Sequence, residues 1–192
     1  MGSIDVLPIG RVDEGALRAV EARVAARFGL PVRRLPPLPE PDDAWDAGRG
    51  QHDSSAILQR VLASRRPDAV RVLGVTEADL FIPMLTFVFG QAQLAGVAAV
   101  VSLARLRQEF YGLPPLPEVL AERAVTEAFH ELGHTFGLVH CSDSRCAASL
   151  STHIQQLNQK RAEFCRSCST LLEGSVRAAA DSEAPASLEE RS

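Results

Sequence analysis

The sequence predicts an α+β domain. Apolar, β-rich runs and helices with apolar stripes follow one another in the order strand, helix, strand, helix, strand, strand, strand, helix. One run, Val97-Ala98-Ala99-Val100-Val101, is unbroken, which suits a strand buried on both faces of a sheet. With 192 residues, 46% of them hydrophobic, the chain has the size of one domain around a single core.

Residues 4–9 form a short apolar segment, the expected first strand, closed by Pro8 and Gly10. Asp13 or Glu14 then opens a helix whose Leu17, Val20, Val24 and Phe28 recur at spacings of three and four, and Gly29-Leu30-Pro31 ends it. Residues 32–35 suit a second strand. Residues 36–51 are rich in Pro, Asp and Gly and are expected to be an irregular surface loop, with Trp45 and His52 in or beside it. His52 is assigned no role there. Asp53 or Ser54 caps a helix with Ile57, Leu58, Val61 and Leu62 on its buried face, ending before Pro67. Residues 69–75 are β-rich, and Thr76-Glu77-Ala78-Asp79 is a turn in which Asp79 is expected to cap or shape the chain. Residues 85–92 and 97–106 are two further β-prone runs. Leu113-Pro114-Pro115-Leu116-Pro117 is a stiff connector, and Pro117 suits the first turn of a helix. Val119, Leu120, Ala124, Ala128 and Leu132 carry an apolar stripe along that helix to Phe136. Ile154, Leu157 and Arg161 have helical spacing within residues 147–164, with His153 on the surface. Residues 171–179 add a final turn or two, and 181–192 are polar and expected to be disordered.

Chemistry concentrates at His130-Glu131-Leu132-Gly133-His134-Thr135-Phe136-Gly137-Leu138-Val139-His140-Cys141. On a helix, residues four apart share a face, so His130 and His134 present two imidazoles one turn apart, as a zinc ion with Zn–N bonds of roughly 2.0–2.1 Å requires. Glu131 is placed to act as a general base on a zinc-bound water without ligating the metal. A glycine at Gly137 can take positive φ, stop the helix and bring His140 back as a third ligand. Three neutral imidazoles leave a fourth position open for water. Five defined positions agree within eleven residues, a coincidence expected by chance on the order of 10⁻⁴. Beyond them, Cys141 and Cys146 enclose four residues, and Cys165 and Cys168 enclose two. Two such pairs suit a closed Cys₄ zinc site. A disulfide pair, or thiol redox chemistry at Cys165–Cys168, is the alternative use of these residues. Arg145, Lys160, Arg161 and Arg166 lie close in sequence and could offset the negative charge of four thiolates. Neighbouring side chains on an extended segment point to opposite sides, so one strap carrying His140 and Cys141 could serve both ions.

HExxHxxGxxH is the consensus of the metzincin peptidases, and the following cysteines make the chain resemble the archaemetzincins. Gly74-Val75-Thr76, Phe87-Val88-Phe89-Gly90 and Val101-Ser102-Leu103-Ala104-Arg105-Leu106 also look like that family. The resemblance implies a twisted, mixed five-stranded sheet with helices, an active-site helix and a small C-terminal helical subdomain stabilised by zinc. It also implies that about residues 86–92 form an antiparallel edge strand above the cleft, able to pair with an extended peptide. One position departs from the family: a methionine two residues after the second cysteine is replaced by Ala148. No residue here matches an oxyanion stabiliser.

The net charge of -4 gives no electrostatic footprint for nucleic acid or anionic membrane, and no apolar run is long enough for a transmembrane helix. The first residues lack a signal-peptide or myristoylation pattern, so the expected address is cytoplasmic and the expected state a monomer acting on a peptide or small protein. Residues 1–178 are assigned to one catalytic domain, with an upper part of about 1–137, a lower part of about 138–178 and a tail of 179–192. The expectation is therefore a zinc metallopeptidase with two Zn²⁺. His130, His134 and His140 hold the catalytic ion, Cys141, Cys146, Cys165 and Cys168 hold the structural ion, and Glu131 is the base. The family also suggests aminopeptidase-like action on short peptides. The alternative is a weak or inactive two-zinc interaction protein, for which Ala148 speaks.

Overall fold

A computed structural model describes residues 2–182. Strand β1 (Ser3–Ile9) leads into helix α1 (Glu14–Phe28), capped by the Asp13 carboxylate, which accepts a hydrogen bond from the Ala16 amide at 2.9 Å. Gly29, in the left-handed conformation, closes the helix as its sequence position predicts. Strand β2 (Val32–Arg34) follows. Next come β3 (Trp45–Asp46), β4 (Gln51–Asp53) and helix α2 (Ser54–Ala63), capped by Asp53 through the Ser55 amide at 2.8 Å. Five strands, β5 (Ala69–Thr76), β6 (Leu80–Ile82), β7 (Leu85–Val88), β8 (Gly90–Ala92) and β9 (Ala98–Ser102), precede the long helix α3 (Pro117–Thr135). A single-turn helix α4 (Ile154–Leu157) and the helix α5 (Arg166–Ser182) complete the described chain.

The main sheet has the order β2-β1-β5-β9-β8, with β8 antiparallel to β9 and the other pairs parallel. Alternation along its strands sorts side chains into two apolar layers. Ile4, Val6, Leu73, Val75, Ala99 and Val101 meet α1 and α3, whereas Leu7, Ile9, Val72, Ala98 and Val100 meet Ile57, Leu58 and Val61 of α2. The five-stranded mixed sheet and its helices are as expected, and α3 lies along the sheet with its C-terminal half wholly buried apart from His134.

Four expectations need correction. Residues 36–51 are not wholly irregular: β3 pairs antiparallel with β4, and β4 parallel with β6, in a second sheet of order β3-β4-β6-β7. His52 accordingly sits half-buried on β4, its ring 4.9 Å from that of Trp45. Asp79 does not cap a turn; it takes Arg105 in a two-pronged pair at 2.6 and 2.9 Å and also accepts from Gln51 at 3.0 Å. The run 85–92 is two strands rather than one. Phe89 turns into the core between them, so that β7 closes the small sheet and β8 forms the antiparallel edge of the large one.

After α3 the chain is less helical than its periodicity suggests between residues 147 and 164 and more helical beyond them. Only α4 is helical there; backbone bonds from Ala147 to the Glu163 carbonyl (2.8 Å) and from Arg161 to the Arg145 carbonyl (2.9 Å) tie the segment to itself. Helix α5, by contrast, runs well past a turn or two, burying Cys168 and Leu172. Residues 179–182 belong to it, and the rest of the expected disordered tail lies outside the described residues.

Candidate metal centres

Helix α3 places His130, Glu131 and His134 towards a cleft of about 290 Å³ whose opposite wall is built from β7 and β8. The two ring Nε2 atoms are 3.1 Å apart. Two ligands of a tetrahedral zinc with bonds of about 2.0–2.1 Å would stand roughly 3.3 Å apart, so both nitrogens already face one point. Their other ring nitrogens are anchored by backbone carbonyls: His130 Nδ1 lies 2.9 Å from Ala147 O and His134 Nδ1 lies 2.7 Å from Leu138 O. A carbonyl only accepts, so each Nδ1 carries the proton and donates it, leaving the Nε2 lone pair for a cation.

Gly137 adopts φ 91°, as a chain reversal requires. Its amide bonds the His134 carbonyl at 2.9 Å, and that of Leu138 bonds the Gly133 carbonyl at 3.0 Å. The turn brings the exposed ring of His140 to 5.4 Å from the His130 ring and 5.0 Å from that of His134, with donor atoms of all three within 4.8 Å. Burial holds the imidazoles of His130, His134 and His140 below the usual histidine pKa, and the nearby Lys160 charge adds to this. The neutral ring is the metal-binding form.

Glu131 is buried beside β8. A Cβ on Gly90 would stand 2.7 Å from the Glu131 side chain and 2.6 Å from Val100 O, so the absent side chain gives the carboxylate its room. Burial, and then the like charge of Glu127, push the Glu131 carboxyl well above the carboxylate range against the pull of Lys160. Glu127 and the part Lys160 plays were missed from the sequence. Glu127 sits four residues before Glu131 within the apolar stripe, the spacing that places two carboxylates on one helical face. In sequence Lys160 stands among the cations near the cysteines, yet its buried Nζ lies 3.4 Å from Ala147 O and 3.4 Å from His130 Nδ1.

The four cysteine sulfurs form a second cluster, each within 4.8 Å of the others. Cys141 Sγ and Cys165 Sγ are 3.8 Å apart, too far for a disulfide and close to the roughly 3.8 Å edge of a tetrahedron with Zn–S bonds of about 2.3 Å. Backbone amides of Asp143 and Cys165 donate to Cys141 Sγ and Cys146 Sγ at 3.4 and 3.3 Å, the kind of support a thiolate cluster uses. Burial pushes the Cys146 and Cys168 thiols up, whereas hydrogen bonding to the Cys168 amide draws Cys165 down. The clusters share a strap: Cys141 follows His140 and donates its amide to Ala148 O at 3.0 Å, while Ala147 O orients His130. Ala148 itself is 1% exposed, and Leu150, two residues on, lines the cleft with half its surface exposed.

Residues 18–174 match the model of peptidase family M54. The chain belongs to that family. This M54 chain is 41% identical over 165 residues to an archaemetzincin of Methanocaldococcus jannaschii, covering 86% of this chain and 89% of the relative. It is 38% identical to one of Pyrococcus furiosus, covering 88% and 92%. The crystal structure of the Methanopyrus kandleri archaemetzincin superposes with a TM-score of 0.80 at 37% identity, covering 92% of this chain and 96% of that one. A zinc-dependent peptidase of Methanocorpusculum labreanum gives 0.80 at 30% identity, with 88% and 100% covered. Family membership, with the histidine and cysteine donor sets in place, makes the M54 chain a zinc metallopeptidase that acts on peptides. Among the described residues no helix is long and apolar enough to cross a membrane.

Proposed function

We propose that this peptidase carries two zinc ions with separate duties, a catalytic one held by His130, His134 and His140 and a structural one held by Cys141, Cys146, Cys165 and Cys168. The observation that carries the reading is the convergence of three neutral imidazoles beside a buried glutamate, in a cleft walled by strand edges. Zinc in such a histidine set lowers the pKa of water towards roughly 7 and polarises a carbonyl oxygen. Glu131 takes the proton that water gives up and hands it to the departing amine nitrogen. Its burial suits that duty, since a carboxyl lifted above the usual carboxylate range is a stronger base towards water. The edges of β7 and β8 offer backbone groups that align an extended peptide across the ligands. We extend the reading to aminopeptidase-like action on short peptides, as the resemblance to the archaemetzincins suggests. Four neighbouring free thiols suit a reducing compartment, hence a cytoplasmic address.

The test is metal counting combined with peptide-library turnover. Freshly prepared protein is expected to hold about two zinc equivalents and to cleave peptides. A chelator should stop turnover as the histidine-held ion leaves first, and added zinc should restore it. Turnover that survives loss of that ion would refute the proposal. Gly90→Ala is expected to lower kcat about 10- to 100-fold with zinc content unchanged, because the new methyl must displace either β8 or Glu131. Wild-type kcat in that variant would show that the fit between Glu131 and the strand is irrelevant to catalysis.

A further inference from the structure

Glu127 lines the same cleft as Glu131 and the three histidines, although only 4% of its surface is exposed. Its Oε2 is buried and accepts no hydrogen bond among the described residues. A buried carboxylate oxygen without a donor is destabilising. The neighbouring positions Ala124 and Ala128 show that apolar residues fit this stretch of α3. Lys160 does not supply the missing donor: its Nζ donates to Ala147 O at 3.4 Å and stands 3.4 Å from His130 Nδ1, itself a donor to that carbonyl. One ammonium therefore stands among two buried carboxylates, and the hydrolytic reading commits Glu131 to proton transfer.

We propose that Glu127 binds a cationic group of the peptide substrate, an ammonium or guanidinium, whose N–H donors and charge complete its unpartnered oxygen. The inference rests on the peptidase reading of the cleft and names the substrate class: peptides that bring a positive charge next to the scissile bond. That charge has two sources, the free amino terminus or a lysine or arginine side chain. The competing occupant is a further metal ion, since donor atoms of Glu127, His130 and Glu131 lie within 4.8 Å of one another.

The experiment compares kcat/KM on zinc-loaded full-length protein for peptides matched except for lysine against norleucine beside the cleaved bond, each with a free and an acetylated amino terminus. Wild type is expected to favour the charged member on the order of 10- to 100-fold, the size of one charge-assisted hydrogen bond in a desolvated site. In Glu127→Gln that ratio should fall to within about threefold of one, whatever happens to the overall rate. Glu127→Leu, which removes the buried oxygen altogether, reads the same ratio should the glutamine variant fold poorly. Whether the preference follows acetylation or the side chain identifies its source. A wild-type ratio near one in both arms overturns the proposal, as does a preference that survives in the variants. A zinc equivalent lost from Glu127→Gln also overturns it, by making Glu127 a ligand. If wild type cleaves nothing, the peptidase reading fails separately. Calorimetric binding of lysinamide, leucinamide and their acetylated forms to wild type and Glu127→Gln then measures the same ratio without turnover, and equal affinities refute the proposal.

Discussion

Glu131→Gln is expected to lower kcat by roughly 10²- to 10⁴-fold, the usual contribution of one positioned general base, while zinc content stays at the wild-type level. The side chain is nearly isosteric and sits against Gly90 and β8, so the packing that confines the carboxylate also accepts the amide. The amide cannot accept a proton from water at neutral pH, and the step that feeds the departing amine loses its donor. Stability should not fall with activity. Glu131 is 5% exposed and its charge is opposed by burial and by Glu127, so a neutral side chain relieves that opposition, and the melting temperature is expected to hold or rise. Steady-state kinetics, metal analysis and a thermal scan on one preparation check all three. Retained kcat with two zinc ions bound would remove Glu131 from the mechanism. Loss of zinc together with activity would make it a ligand rather than a base.

The legible part of this site and the illegible part differ in how far apart their residues lie in sequence. Helical periodicity places His130 and His134 on one face, with Glu131 next to the first of them, without reference to any other element, and Gly137 signals the chain reversal by itself because φ 91° favours glycine. The two cysteine pairs announce a cluster by their spacing. The strands of the main sheet were equally readable, since β1, β5 and β9 are apolar on both faces. The small sheet was not: its strands are two to four residues long and are held by pairings such as Trp45 with His52 and His52 with Leu80, which leave no local period. Lys160 could not be placed against His130 either, because thirty residues of mostly irregular chain decide the approach. The same holds for the vacant Glu127 oxygen. Its spacing from Glu131 is visible in the sequence, but only the route of Lys160 towards Ala147 shows that the nearest ammonium bonds elsewhere.

Cys165→Ser is expected to damage the histidine site as well as its own. A tetrahedral ion reduced to three thiolates is held far more weakly, and structural zinc sites contribute about 10–16 kcal/mol of apparent binding free energy in small domains. The lost clamp acts through two bonds. Cys141 carries the chain of His140 and is tied to Ala148 O, and one residue earlier Ala147 O fixes the ring of His130. When the sulfur cluster opens, segment 146–149 and the strap at 140–141 lose their common anchor. His140 is the ligand most exposed to the change, since its ring is the least buried of the three. Zinc content should therefore fall from about two equivalents to below one at limiting zinc, with the remaining ion bound roughly 10- to 100-fold more weakly, the usual effect of losing ligand support. The melting temperature should drop, and turnover should become dependent on added zinc. Chelator competition against wild type measures the affinity of the remaining ion directly. A variant that has lost one ion but holds the other with wild-type affinity and full activity would show that the two centres are independent. The adjacency of His140 and Cys141 would then be a matter of chain economy rather than coupling.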